Sequence, residues 1–197
     1  MTKEIRVLKD IKVESRADSL PKIVGYAAVF NVETDIGGMF CEKVMKGAFT
    51  DAIANSDIHA LFNHDENIVL GRAKSGTLTL AEDDKGLRVE ITPPDTDEAR
   101  DLMVLMKRGD IDQMSFAFTM GEGGIQTWDE TGDCPLRIIN KVGELYDVSV
   151  VTRGAYPTTE AAVRSLSDYR AKKNFHAANL RVRRKMNLEQ KLRRTSE

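Results

Sequence analysis

The sequence predicts a strand-rich α+β domain, most simply a closed or nearly closed β-barrel with a few surrounding helices. Three observations lead there. About seven to nine short runs alternate apolar and polar residues or are rich in β-branched and aromatic side chains. Gly, Pro, Asp and Asn punctuate them at short intervals. Only two or three segments carry helical spacing, so helices decorate strands rather than alternate with them.

In chain order, residues 5–13 (IRVLKDIKV) read as one charged, β-branched strand and residues 22–30 (KIVGYAAVF) as a more buried one. Gly25 inside the second marks a bulge or a close backbone approach. Residues 31–39, with Gly37-Gly38, read as a flexible connection before a short strand at 40–44 and a short helix at 50–55. The next strand runs from Ile58 and exits through Asn63-His64-Asp65. Another follows at 68–72, and a hairpin joins 77–81 to 86–92. Leu87, Val89 and Ile91 share one face by period-two alternation.

The clearest helix starts after Pro93-Pro94. Asp95 is the expected cap, with Glu98 as its capping-box partner. Ala99, Leu102, Met103, Leu105 and Met106 form its apolar stripe, and Gly109 ends it. Residues 112–120 (DQMSFAFTM) then read as a central, buried strand. Residues 121–133 read as a mobile Gly-rich loop, with Trp128 as a surface anchor. Two more strands are expected at 136–140 and 144–152, and a charged helical pattern begins near Thr158.

The net charge is −2, unevenly spread. Residues 164–197 hold eleven Lys or Arg against three Asp or Glu, a balance of +8, which leaves −10 on the remainder. The expected division is therefore a folded body over 1–160 and a basic helical tail over 161–197. An acidic body with a basic tail marks a partner-binding protein. No secretory h-region opens the chain and no apolar run approaches spanning length. Cys41 and Cys134 are expected to be free thiols in a reducing compartment. The spacing of His59, His64 and His176 matches no metal motif, and no glycine loop cradles phosphate, so no cofactor is expected.

Three residues stand out chemically. Ser115 is a hydroxyl in an apolar strand, where it is either a hydrogen-bonded core serine or a nucleophile. His64 leaves its strand in a polar stretch and can take a serine proton near neutral pH. Asp147 sits in an apolar run, 145–151 (LYDVSVV), where an unpaired acid is costly. Its partner is a histidine or an arginine such as Arg72. A serine nucleophile needs a base, and the base an orienting group. As alternative nucleophiles the cysteines are poor: Cys41 lies beside the acidic Glu42, and Cys134 precedes Pro135 without a nearby histidine.

Taken in order, residues 25–30 (GYAAVF), Glu42-x-Val44 with Gly47-Ala48-Phe49, residues 62–65 (FNHD) with 70–72 (LGR), residues 114–118 (MSFAF), and residues 146–152 (YDVSVVT) closing in Ala155-Tyr156-Pro157 resemble the tailed-phage prohead (capsid maturation) protease family. The resemblance covers roughly residues 20–160. It implies a fold related to the herpesvirus assembly proteases, with Ser115 as nucleophile, His64 as general base and Asp147 as the orienting acid. Glu144 is the rival for the third place, set aside because an odd offset in a regular strand turns it to the other face. The backbone N–H groups of Arg153 and Gly154 are the implied oxyanion donors. The implied function is serine endopeptidase cleavage of the scaffold, or of the scaffolding segment of the major capsid protein. That would occur inside the assembling prohead in the host cytoplasm, with self-trimming and self-association. The basic tail would dock an acidic scaffold segment or be trimmed. A dead-triad scaffold or capsid-interaction protein, and a nucleic-acid module acting through the tail, are the alternatives; with few aromatics in the tail, nucleic acid ranks lower.

Overall fold

The computed structural model describes residues 3–8, 11–14, 21–153, 164–175, 181 and 183. The chain divides into two compact units, Met1–Thr159 and Glu160–Glu197.

The first unit holds three sheets. Strands β1 (Glu4–Leu8), β2 (Ile11–Glu14), β3 (Lys22–Val29), β4 (Thr34–Ile36) and β5 (Phe40–Val44) precede helix α1 (Thr50–Asn55). Then come β6 (His59–Phe62), β7 (Asp65–Arg72), β8 (Leu78–Glu82), β9 (Gly86–Ile91) and helix α2 (Asp97–Arg108). Strands β10 (Gln113–Thr119), β11 (Ile125–Asp129), β12 (Leu136–Lys141) and β13 (Glu144–Val151) complete the unit. The sheet that carries the candidate residues has the order β1-β10-β13-β6-β7. Within it β13 and β6 are parallel and the other neighbours antiparallel. The other two sheets run β11-β12-β5-β4 and β2-β3-β9-β8. The architecture is thus strand-rich α+β with few helices. No closed barrel is detected: the strand pairings among the described residues form these three sheets.

Several local expectations change. The single strand over 5–13 is two strands in different sheets, because a chain that passes between sheets must break its hydrogen-bond ladder. The connection at 31–39 contains β4, which pairs with β5 through a turn where Gly37 and Gly38 take φ of 62° and 70°. That hairpin buries Ile36 completely. Part of the expected mobile loop at 121–133 is β11, laddered on β12. Trp128 in it is half-buried, its ring edge-on to Phe40 with centroids 5.0 Å apart. Helix α2 is capped by Thr96, whose hydroxyl accepts from Ala99 N at 3.3 Å, while Asp95 pairs with Arg100. The end of α2 is as expected: Gly109 has φ 82° and its N–H closes the last turn.

The bulge expected at Gly25 falls at Ala27, where the β3–β9 register shifts between Tyr26 and Ala28. The shift turns both Ala27 and Ala28 inward. Close backbone approach is a property of Gly86 instead: a Cβ there would lie 2.0 Å from the Ala28 carbonyl oxygen.

Met114, Phe116 and Phe118 of β10 point into the main core with Val148 and Val150 of β13. Phe116 stacks on Phe118 and meets Phe49 edge-on, centroids 5.2 and 5.4 Å apart. Period-two alternation then sends Ser115 to the opposite face of the sheet. Four of the charged side chains buried among the described residues form one network. Arg6 of β1 bonds Glu42 of β5 and its strand neighbour Glu4, and Arg137 of β12 bonds Glu4 and Glu42. This network fixes the edge strand β1 to the β12–β5 pair, and it explains why charges rather than apolar residues face inward along β1. In the second unit, residues 164–175 are helical and largely exposed.

Candidate active site

The site is assembled on one face of the five-stranded sheet. Ser115 pairs in register with Ser149 across β10–β13, and Asp147 lies two residues before Ser149. All three side chains therefore project the same way, and all three are buried. His64 reaches them from the β6–β7 hairpin. Phe62 and Asp65 are register partners, so the loop is only Asn63-His64, and both residues have positive φ, 53° and 59°. Such turns match the right-handed twist of the flanking strands. Asn and His tolerate the left-handed region better than most residues, yet a glycine would be the usual occupant. Holding a histidine there is a local strain of the kind that clusters at functional sites.

The contacts are short and ordered. His64 Nε2 lies 2.7 Å from Ser115 Oγ, and His64 Nδ1 lies 2.5 Å from Asp147 Oδ1. Ser149 Oγ donates to Asp147 Oδ1 at 2.7 Å and stands 3.2 Å from His64 Nδ1. Lys3 Nζ is 2.7 Å from the other carboxylate oxygen, Asp147 Oδ2. Burial alone would raise the Asp147 pKa. The hydrogen bond with His64 and the contact with the Lys3 ammonium, with the His64 charge and Ser149, outweigh it and hold the carboxyl below its ordinary value. Ser115 Oγ also donates to the Arg6 carbonyl at 2.8 Å. Its single proton therefore has two acceptors, a backbone oxygen and an imidazole nitrogen.

Ser115, His64 and Asp147, which sequence reasoning singled out from three separate stretches, come together. The alternative partner for Asp147 does not: Arg72 bonds Asp57, its Nε at 2.9 Å. Glu144 is exposed at the start of β13 and hydrogen-bonds Tyr146, whose hydroxyl pKa burial and that contact raise. The alternation used to set Glu144 aside is itself interrupted, since the register shifts between Ala117 and Phe118 and leaves Tyr146 as an extra residue in β13. Position, not parity, separates Glu144 from His64.

Of the expected oxyanion donors, Arg153 is exposed where the chain leaves β13, and Gly154 lies outside the described residues. The Thr152 N–H donates to Asn63 Oδ1 at 3.0 Å, which ties this exit to the turn that carries His64.

Sequence reasoning missed Ser149 and Lys3. Ser149 had a signal, because its i+2 offset from Asp147 predicts a shared face. Lys3 had none, since only the β1–β10 pairing carries it to the acid. Among the described residues, no cluster of three or more His, Cys, Asp or Glu side chains forms a metal site, and no helix is long and apolar enough to cross a membrane.

The family model of the caudovirus prohead serine proteases matches residues 9–173. The chain belongs to this family. The match spans all three candidate residues and most of the folded body of this prohead serine protease family member. No curated protein matches the chain. Among solved structures it is similar to the bacteriophage T4 capsid assembly protease, gp21, at 13% identity with a TM-score of 0.49, covering 76% of this chain and 98% of that one.

Proposed function

We propose that this chain is a serine endopeptidase of prohead maturation in which Ser115 is the nucleophile, His64 the general base and Asp147 the acid that orients it. The observation that carries the reading is the unbroken contact path from Ser115 Oγ through both nitrogens of His64 to Asp147 Oδ1, at 2.7 and 2.5 Å. With Nδ1–H donated to the carboxylate, Nε2 is left as the acceptor that a nucleophilic serine requires. The Ser115 hydroxyl turns from the Arg6 carbonyl to Nε2 and gives its proton to that nitrogen as Oγ attacks a peptide carbonyl carbon. Asp147 stabilises the imidazolium, which then protonates the leaving amine. Water attacks the acyl-enzyme by the same route in reverse. Backbone N–H groups after Thr152, at Arg153 and Gly154, are the proposed donors to the oxyanion. Thr152, the residue before them, is tied to the His64 turn by its N–H bond to Asn63 Oδ1.

Family membership supports a substrate among the proteins of the assembling prohead, the scaffold or the scaffolding segment of the major capsid protein, cleaved inside the particle in the host cell. The acidic body and the basic tail, 161–197, support a division of labour between cleavage and docking of an acidic segment, with the tail a candidate for self-trimming.

The test is Ser115→Ala with mass spectrometry of the products. Co-expressed capsid protein and the protease's own tail should stay uncut while the variant keeps its wild-type melting transition. Unchanged processing by Ser115→Ala would remove the assignment.

A further inference from the structure

The edge strand β1 touches the site twice. Its Arg6 carbonyl accepts from Ser115 Oγ, and Lys3, one residue before the strand, reaches Asp147 Oδ2. The strand cannot drift from this place easily, because Glu4 and Arg6 are locked into the buried network with Glu42 and Arg137. Lys3 Nζ also stands 5.6 Å from the centroid of the Tyr146 ring, so carboxylate and aromatic face share the ammonium.

The charge balance explains what this cation does. Asp147 is 2% exposed. A buried carboxylate needs a compensating cation or it is held at high cost. Two groups in contact with the carboxylate can supply one: Lys3, or His64 in its protonated form. A histidine that neutralises the acid at rest already carries the proton and cannot accept another from Ser115. With Lys3 in place the carboxylate is compensated without it, and His64 is free to rest neutral. The other groups around Asp147 do not replace that charge. Ser149 and Tyr146 on β13 and Ser115 on β10 are uncharged donors. Glu144 is an anion set against Tyr146. Asp65, next to His64, accepts from Asn67. His59, the register partner of Asp147 on β6, is the remaining titratable neighbour.

We propose that Lys3 is a positioning residue of the active site, holding the far oxygen of Asp147 and supplying the charge that lets His64 rest as a base. The inference rests on the triad reading of Ser115, His64 and Asp147. It predicts that removing the ammonium makes the imidazolium easier to form, so a higher pH is needed to obtain the neutral base.

The deciding measurement is an NMR pH titration of the imidazole protons in the full chain, which contains only three histidines. His64→Gln identifies the His64 resonance. In Lys3→Met the His64 midpoint should rise by about one unit, the size expected for losing a nearby cation. Lys3→Arg should keep the wild-type midpoint. Lys3→Gln, which keeps a polar donor and loses the charge, should move with Lys3→Met and decides the matter if the methionine variant does not fold. A neutral variant whose midpoint matches wild type would overturn the proposal. The titration needs no substrate, so its failure is separate from failure of the protease reading, which the Ser115→Ala products decide. In an active preparation the acid limb of kcat/KM should shift with the midpoint.

Discussion

Ser149 donates to Asp147 Oδ1, the same oxygen that His64 Nδ1 contacts, so one carboxylate oxygen carries two partners. The second partner fixes the rotation of the carboxylate and hence the plane in which the imidazole is held. A hydrogen bond to a charged group contributes about 1.5–3 kcal/mol. Ser149→Ala should therefore lower kcat/KM about tenfold or more, with a smaller change in thermal melting. Wild-type turnover in Ser149→Ala would mean that His64 and Asp147 hold each other without help.

Stability should fall in acid through Asp147 and Glu4. Burial tends to raise both carboxyls, but His64 and Lys3 around Asp147, and Arg137 and Arg6 around Glu4, bring both below their ordinary values. A depressed native pKa gives stability that is present above the unfolded value, about 4, and is lost as pH falls through the native value. Urea midpoints should hold from pH 7 to about 5 and decline steadily below that. In Asp147→Asn the decline should be shallower; an identical slope would show that this carboxylate takes no part in it.

Arg137 is fully buried and donates to both carboxylate oxygens of Glu4, at 2.5 and 2.8 Å. Truncation to alanine leaves an anion in the interior with part of its compensation gone. Breaking such a pair costs about 3–5 kcal/mol. Arg137→Ala should lower the urea midpoint accordingly, and adding Glu4→Gln should recover part of the loss. Full additivity of the two changes would contradict the coupling seen between them.

Cys41 and Cys134 are free thiols whose Sγ atoms lie 2.6 Å apart, although 93 residues separate them in sequence. The hydrogen bond with Cys134, then burial, pushes the Cys41 thiol up to about 11. Alkylation acts on the thiolate, so at pH 8 Cys41 should react about a hundredfold more slowly than an ordinary thiol near 8.5. Cys134→Ala should restore its rate, followed by peptide mass mapping over time. Equal rates in both proteins would show that the contact does not control the thiol.

Much of the site was legible in the residues because each member breaks a local rule. Ser115 is a hydroxyl in an apolar strand, Asp147 an acid in another, and His64 a polar residue where a strand ends. Conflicts between local pattern and environment mark functional places. The buried charges of β1 were illegible for the complementary reason. Residues 4–7 alternate charged and apolar, which on an edge strand reads as charges outward; here the arginines and glutamates of three strands satisfy one another inside. The strand β11 was hidden because Gly and Asp flank it and little of its surface is apolar.

By itself the sequence determined the strand-rich α+β class, the short helix at 50–55, the C-terminal limit and apolar stripe of the longer one, and the ordered motifs of a prohead serine protease family member. These depend on periodicity, caps and residue chemistry, all local. The tertiary structure alone decided the pairing. It set Ser115 beside Ser149, closed the Asn63-His64 turn over them, split the first strand between two sheets and brought Lys3 to Asp147. Those relations join residues up to 144 positions apart, from Lys3 to Asp147. They follow from register and sheet order, which no local pattern specifies, since a one-residue slip would send every side chain of a strand to its other face.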